Sequence, residues 1–181
     1  LKRNGFHTHQ VKSCIIVGGG RAAYYLGKRL IELGISVQIV ENKKERCEEL
    51  SVLLPQAIVV NGDGTSEELL NEIGITTTES LVPLTGIDEE NIMLTLYAKE
   101  VSDAKVVTKI NRITYTGVID QLDLGSVVYP KYITSEAIIA FVRSKTATMN
   151  NNIETMIHLF DERVEAIEFV VGDQSPVVNV P

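Results

Sequence analysis

The chain has 181 residues, of which 44% are hydrophobic, and its formal net charge is −7 at pH 7. This length supports one well-packed core and the beginning of a second. The acidic balance, without any Lys/Arg-rich run, argues against a nucleic-acid-binding surface. No apolar run approaches the roughly eighteen residues that cross a bilayer, and no signal peptide is visible. We therefore expect a globular protein that does not itself enter a membrane.

The two cysteines and the N-terminal segment give little indication of chemistry. Cys14 and Cys47 have no metal-ligand spacing, so we expect free, buried or half-buried thiols in a reducing cytoplasm. Residues 1–12 are polar, lack a pattern and do not begin with Met, which predicts a linker within a longer protein. His7 and His9 lie in this segment without a third ligand nearby, and no metal site is predicted.

From residue 13 onward, apolar strands and amphipathic helices alternate. The predicted strands are 13–17, 36–40, 57–60, 80–84, 105–110 and 125–129. The predicted helices are 21–33, 43–54, 67–73, 88–101 and 114–121. Pro83 predicts a bulge or an unpaired N–H in the fourth strand, and Asp88 is expected to cap the fourth helix. Repeated strand–helix units of this size predict an α/β fold, a Rossmann-like doubly wound parallel sheet with strand order 3-2-1-4-5-6.

The remainder of the chain breaks this alternation. A helix predicted over 135–143 is apolar on nearly every side, so both faces need a cover, most economically a second subunit. A short amphipathic helix is predicted from Ile153, Met156, Ile157 and Phe160, and 164–171 alternates like a half-buried strand. The expected organisation is a Rossmann-like domain at 13–133, linking helices at 134–162, and the truncated start of a second lobe at 163–181.

A glycine-rich turn follows the first strand. Its sequence from Gly18 to Ala23 fits the dinucleotide-binding pattern G-x-G-x-x-A. Gly18 permits the tight turn, Gly20 lets the backbone approach a pyrophosphate, and the small Ala23 keeps helix and strand close. The N–H groups of Arg21 and Ala22 then face the phosphates at the positive end of the helix dipole.

A carboxylate follows about twenty residues after this turn, as the dinucleotide-binding pattern requires. Glu41 ends the second strand, where it is expected to receive the ribose hydroxyls and to repel a 2′-phosphate. Lys43, Lys44 and Arg46 lie beside it. Their positive charges keep NADP open as a ligand, and the alternative is that they simply form a solvated start of the helix.

Further candidates follow the other strands. Asp63 is predicted at the adenine side, with an Asx turn and helix cap as the alternative. Asn91 is either a site residue or a polar residue of the first helical turn. Lys109 and Arg112 suit a phosphate or an acidic subunit contact. The complete predicted cofactor-binding set is Gly18, Gly20, Arg21, Ala22, Glu41, Asn42, Gly62, Asp63, Gly64, Thr65, Thr85, Gly86, Asn91 and Lys109.

These motifs together resemble the RCK/KTN (TrkA-N) domain, the nucleotide-binding regulators of potassium transporters and channels. The resemblance is carried by residues 16–21, 40–41, 62–65, 84–91 and 109–112, and it covers about residues 13–147. Residues 163–181 look like the opening of the companion TrkA-C lobe. Arg21 is ordinary for the second nucleotide-binding half of a tandem Trk regulatory subunit, and an internal linker at 1–12 suits such a half.

The resemblance implies regulation with no bond made or broken. It implies NAD⁺/NADH, or alternatively ATP, ADP or AMP, at the carboxyl ends of the strands. It also implies a homodimer through helix 134–147, and rings of such dimers at the inner face of the cell membrane beneath a K⁺ transporter. A ligand gates the transporter only if it binds two ring shapes with different affinity.

Two other classes remain alternatives. A small NAD(P)-dependent oxidoreductase is suggested by Tyr24-x-x-x-Lys28, the spacing of short-chain dehydrogenases. That pair lies in the helix directly after the glycine turn, however, and no His, Cys or carboxylate cluster is expected at the crevice; His158 lies beyond it. The third class is a dimerisation scaffold that binds no nucleotide.

Overall fold

The computed structural model describes residues 10–112, 116–146, 153–159, 164–169 and 171. The chain forms two compact units, Leu1–Tyr129 and Pro130–Pro181. The strands of the first unit are β1 Ser13–Val17, β2 Ser36–Glu41, β3 Ile58–Asn61, β4 Ser80–Pro83, β5 Lys105–Lys109 and β6 Ser126–Val128. Its helices are α1 Arg21–Glu32, α2 Lys44–Leu53, α3 Glu67–Glu72, α4 Asp88–Val101 and α5 Thr116–Ile119.

The six strands form one parallel sheet in the order β3-β2-β1-β4-β5-β6, which confirms the predicted fold class and strand order. The central strand β1 is buried on both faces. Ile15 packs with Leu81 and Leu94 on one side, and Ile16 packs with Ile39 and Leu50 on the other. A strand that is covered twice is apolar throughout rather than alternating, as the sequence of β1 is.

Pro83 ends β4 without a bulge. It pairs with Val17 of β1, and Leu84 N–H donates to the Val17 carbonyl at 2.7 Å. Because successive residues of a strand direct their N–H groups to opposite neighbours, the N–H that Pro83 lacks falls on the β5 side. Pairing with β5 covers only Ser80 and Leu81 and ends before the proline. The N–H that Pro83 lacks is therefore not needed for pairing, because β4 and β5 separate at their carboxyl ends.

Two helix caps differ from the expectations. Ile87, not Asp88, is the N-cap of α4, because the Asp88 carboxylate accepts N–H groups from the loop after β5 instead of its own helix. Ser66, not Asp63, caps α3, its hydroxyl accepting the Leu69 N–H at 3.3 Å.

The second unit contains helix α6 (Pro130–Thr146) and strands β7 (Ile153–Leu159) and β8 (Val164–Phe169), which pair antiparallel. The prediction of a helix over 153–160 was wrong for 153–159, and Phe160 lies outside the described residues. The apolar residues of this segment fit both the helical period and the two-residue alternation of a strand. The alternation of β-branched residues at 153, 155 and 157 and the pairing partner in β8 favour a strand.

Helix α6 also begins earlier than expected, since Pro130 suits the first helical position, where no N–H is needed. The predicted strand at 164–171 is confirmed over β8, and Val171 lies outside it. The domain boundaries remain a prediction.

Cys14 and Cys47 are both free and buried, and burial raises the pKa of each thiol. His7 and His9 lie outside the described residues. In the part of the chain that the structure describes, no helix is long and apolar enough to span a membrane, and no three His, Cys, Asp or Glu side chains are grouped as metal ligands.

Candidate functional site

A cleft of about 670 Å³ opens at the carboxyl ends of β1, β2, β4 and β5. This is the point where the strand order reverses from β1 to β4, which is where open α/β sheets bind ligands. The cleft is lined by Val17, Gly18, Gly19, Gly20, Glu41, Asn42, Lys43, Arg46, Asp63, Gly64, Thr65, Leu84, Thr85, Gly86, Ile87, Glu90 and Lys109.

The glycine turn has the geometry that its sequence predicts. Gly18 has a φ of +100°, and a Cβ there would lie 3.0 Å from the Leu84 carbonyl and the Thr85 N. A Cβ on Gly20 would have no neighbour within 4 Å, so its surface is open to the cleft. Ala23 is fully buried against the sheet. The tight turn at Gly18 and the close helix packing at Ala23 are therefore as predicted, and the approach of Gly20 to a pyrophosphate stays a prediction.

The N-terminus of α1 carries no side-chain cap. Gly20 is its N-cap and offers no side chain, and the first turn contains no acidic residue. The first N–H groups of a helix have no partner within the helix, and its dipole makes this end electropositive. Arg21 and Ala22 lie here, exposed, although their side chains do not line the cleft.

Glu41, the last residue of β2, connects the glycine turn with the start of α2. Its Oε2 accepts the Gly19 N–H at 2.7 Å and its Oε1 accepts the Lys43 N–H at 2.8 Å. Each carboxylate oxygen retains a second lone pair, so Glu41 holds the loop and can still accept a hydroxyl from the cleft.

In the loop after β3, Asp63 both forms a turn and lies at the cleft. Asp63 Oδ1 accepts the Thr65 N–H at 2.9 Å and the Thr65 hydroxyl at 2.7 Å, which is an Asx turn and which lowers the pKa of Asp63. Asp63 also lines the cleft. The glycines beside it are packing requirements, since a Cβ on Gly64 would lie 2.3 Å from Val17 Cγ1 and one on Gly62 would lie 2.5 Å from Leu69 Cδ2.

Asn91 is a buried connector. Its Oδ1 accepts the Thr85 N–H at 3.0 Å, and its Nδ2 donates to the carbonyls of Thr85 and Lys109 at 3.3 Å and 3.0 Å. The residue is fully buried and does not line the cleft. Asn91 therefore positions the loop after β4 against the end of β5.

Charged groups on this side of the cleft are also used within the protein. Burial works to raise the pKa of Asp88, but bonds from the N–H groups of Asn111 and Arg112, the Asn111 amide and the Arg112 charge outweigh it and lower that pKa. Lys109 Nζ donates to the Leu84 carbonyl at 3.1 Å. Burial lowers the pKa of Lys109, which the nearby Asp88 charge partly offsets. Arg112 pairs with Glu89 at 2.7 Å and is not among the residues that line the cleft.

The structure brings most of the predicted set to one cleft, but Arg21, Ala22, Gly62 and Asn91 do not line it. Sequence reasoning missed Gly19, which bonds to Glu41, and the lining positions Ile87 and Glu90. It also left Arg46 open as a solvated residue, whereas Arg46 contacts the glycine turn. The available signal for this contact was the position of Arg46 in the first turn of the helix that follows Glu41.

The alternative dehydrogenase pair lies elsewhere. Tyr24 and Lys28 line a separate hollow with Ile31, Leu54 and Pro55, and neither contributes to the cleft at the strand ends. The arrangement gives no support to a proton transfer by this pair at the cleft.

Comparison with known proteins adds named relatives. The chain is 30% identical over 168 residues to the Trk system potassium uptake protein trkA homolog 1 of Methanosarcina mazei. This alignment covers 92% of this chain and 40% of that protein. It is 33% identical over 156 residues to the Trk system potassium uptake protein TrkA of Haemophilus influenzae, covering 86% of this chain and 33% of the relative. The chain thus spans well under half the length of these relatives.

Solved structures share the fold at low sequence identity. The TrkA-N domain of the inner membrane protein ybaL from Escherichia coli superposes with a TM-score of 0.65 at 17% identity, covering 75% of this chain and 99% of that one. The Kef CTD of Shewanella denitrificans in AMP-bound form gives 0.63 at 18% identity, covering 74% and 81%. The GsuK channel bound to NAD gives 0.57 at 13% identity, covering 89% and 29%.

The family model of the TrkA-N domain matches residues 14–130, a span that contains the six-stranded sheet except Ser13, the first residue of β1, and every residue of the cleft. This chain belongs to the TrkA-N domain family.

Proposed function

We propose that this chain is the nucleotide-binding part of a regulatory subunit of a potassium uptake system. In this proposal it binds an adenine nucleotide, NAD⁺/NADH or alternatively ATP, ADP or AMP, and the bound nucleotide biases the gating of a membrane K⁺ transporter. The observation that carries the proposal is the pairing of two features on one cleft. The α1 N-terminus, without an acidic residue, suits a phosphate, and Glu41 suits the ribose hydroxyls.

The relatives support this choice of ligand and system. Two relatives are named Trk system potassium uptake proteins, and structures that share the fold are described with NAD and with AMP. Because NAD contains an AMP moiety, both descriptions agree with a single adenosine-phosphate site.

A non-phosphorylated ribose fits the cleft better than the 2′-phosphate of NADP. Glu41 places a carboxylate at the ribose position, and like charges disfavour a phosphate there. Arg46, one of the basic residues beside Glu41, already donates to Gly19 and pairs with Glu49 at 2.6 Å, so it is not free to offset this repulsion. We therefore favour NAD(H) over NADP(H).

We further propose that the protein acts by binding alone, in the cytoplasm at the inner face of the membrane. Ile133, Ile138 and Ile139 of helix α6 are 55%, 58% and 40% exposed in the single chain. Such apolar surface is typical of an interface, and we assign it to a homodimer through helix 134–147. Rings of these dimers would then transmit the difference in nucleotide affinity between two conformations to the transporter.

Calorimetric titration with NAD⁺, NADH, NADPH, AMP and ATP tests the ligand. Glu41→Ala is expected to weaken NAD(H) or AMP binding by about tenfold or more, or ~1.4 kcal/mol. Glu48→Ala, which removes an exposed carboxylate of α2, is the matched control and should leave the affinity unchanged. Absence of binding by every nucleotide would favour the scaffold class, and an unchanged affinity in Glu41→Ala would remove Glu41 from the site.

Potassium flux tests the regulatory part. Flux through a transporter reconstituted with the full-length regulator is expected to change when the bound nucleotide is added. The Glu41→Ala regulator should shift this response to higher nucleotide concentration. A flux that is independent of nucleotide would contradict the gating proposal even if binding were observed.

A further inference from the structure

Arg46, in the first turn of α2, reaches back to the glycine turn. Its Nε donates to the Gly19 carbonyl at 2.7 Å and its Nη2 to the Gly20 carbonyl at 3.5 Å. The Nη1 group pairs with Glu49 Oε2 at 2.6 Å, and only 23% of the arginine side chain is exposed. The planar guanidinium fork is thus fixed by three partners, which suits it to hold two neighbouring carbonyls in one orientation.

Gly19 is held from three directions. Its N–H donates to Glu41 at 2.7 Å, and its carbonyl accepts from Arg46. A Cβ on Gly19 would lie 2.7 Å from Leu50 Cδ1 and 3.0 Å from Glu41 Cβ, so β2 and α2 approach this glycine closely. The middle of the glycine turn is therefore fixed by the segment that follows β2.

This fixation determines where the next N–H groups point. A trans peptide directs its C=O and its N–H in opposite directions. When Arg46 binds the Gly19 carbonyl, the Gly20 N–H is turned away from Arg46. The Gly20 carbonyl also accepts the Tyr24 N–H at 3.2 Å, so helix α1 itself contributes to directing the Arg21 N–H. These two N–H groups are the first donors at the N-terminus of α1, the end of the helix where an anion binds.

We propose that Arg46 is a positioning residue that presets the glycine turn for a nucleotide phosphate. This inference rests on the proposed nucleotide-binding function. Arg46 acts through the loop backbone, and the adenosine moiety does not depend on it. Loss of Arg46 lets the Gly19–Gly20 peptide reorient, so phosphate binding must also order this peptide, which weakens the affinity.

The test compares a ligand with a phosphate and one without. Affinities for AMP and adenosine are measured by competition for the wild type, Arg46→Ala and Arg46→Lys. Arg46→Ala is expected to weaken AMP by about tenfold or more, as loss of charge-assisted bonds does, and adenosine by less than about twofold. Arg46→Lys retains the charge but not the fork, and its AMP affinity should resemble that of Arg46→Ala.

Arg29→Ala is the matched control, because Arg29 also forms an i,i+3 pair, with Glu32 at 2.8 Å, but on the exposed surface of α1. It should leave both affinities unchanged. Wild-type AMP affinity in Arg46→Lys would overturn the proposal in favour of a direct charge effect on the phosphate. Equal weakening of AMP and adenosine in Arg46→Ala, or no weakening, would also overturn it.

A measurement without ligand separates this inference from the proposed function. Backbone amide hydrogen exchange of Gly19, whose N–H donates to Glu41, should accelerate in ligand-free Arg46→Ala and stay unchanged in Arg29→Ala, while the core of the sheet exchanges as in the wild type. Unchanged exchange at the Gly19 amide would overturn the positioning role. If the wild type bound no nucleotide but exchange still accelerated in Arg46→Ala, the proposed function would fail. The positioning of the glycine turn by Arg46 would still stand.

Discussion

The two walls of the cleft use their polar groups differently. On the glycine-turn wall (residues 18–22 and 41–46), Glu41 and Arg46 bind the loop backbone and leave the helix N-terminus open. On the β4–β5 wall (residues 84–91 and 109–112), Asn91 and Asp88 direct their polar atoms into the protein. The comparison shows that a polar residue beside a cleft is a ligand candidate only if its donors and acceptors are not already satisfied. The first wall leaves the N–H groups of a helix N-terminus available, and Asn91 of the second wall joins the ends of β4 and β5.

The largest effect is expected from breaking the β4–β5 wall. Asn91→Ala leaves the Thr85 N–H and the carbonyls of Thr85 and Lys109 without their partner in a buried site. We expect a loss of about 2–4 kcal/mol in the free energy of unfolding, measured by denaturant titration. Asn71→Ala, which removes an exposed amide bonded to Tyr97, should change stability by less than about 0.5 kcal/mol. Equal effects of the two changes would contradict the assignment of Asn91.

The same substitution at two glycines sharpens the contrast between packing and binding. Gly18→Ser imposes a side chain at a φ of +100° and against the Leu84 backbone, so we expect it to cost about 1–3 kcal/mol in stability. Gly20→Ser meets open space and adds a favourable N-cap, so stability should hold or rise by about a few tenths of a kcal/mol.

Nucleotide affinity should nevertheless fall by about tenfold in Gly20→Ser, because the new side chain enters the space of the phosphate and its hydroxyl competes for the helix N–H groups. Thermal unfolding and calorimetric titration measure the two effects. A Gly20→Ser protein that binds as tightly as the wild type would place the phosphate elsewhere.

The smallest effect is a pH dependence of the β4–β5 wall. The folded-state pKa of Asp88 lies below its ordinary value, so its contribution is fully present above the unfolded-state pKa of about 3.9 and is lost as pH falls through the lower folded-state pKa. Asp88→Asn should therefore cost about 1–2 kcal/mol near pH 7 and progressively less in acid. Denaturant titrations at several pH values measure this difference.

Glu89→Gln provides the control, since Glu89 pairs with the same Arg112 but is 69% exposed. Its effect should stay small at every pH. A cost of Asp88→Asn that does not change with pH would contradict the ionic role of Asp88.

Much of the fold was predictable because the signals were local. The apolar β1, the glycine turn and Glu41 follow one another at fixed spacing, and the strand order follows from the repeated units. The helix predicted at 153–160 failed because Ile153, Met156 and Ile157 fit both a helical and an alternating period, and only the partner β8 decided between them.

The site was less predictable, because the partners of its side chains are distant in sequence. Arg46 reaches Gly19, and Asn91 reaches Lys109; spacing along the chain does not reveal either contact. Asp88 has a typical capping residue type, yet its acceptors are taken by Asn111 and Arg112 from another loop. Local rules therefore identified the residues near the cleft but not which of them remain available to a ligand.

Hydrogen exchange with and without saturating AMP tests the central claim most directly, since AMP spans only a phosphate, a ribose and an adenine. The account predicts slower amide exchange across residues 18–22 of the glycine-turn wall, with exchange in β5 unchanged. Unchanged exchange at 18–22, or protection confined to the β4–β5 wall, would contradict it.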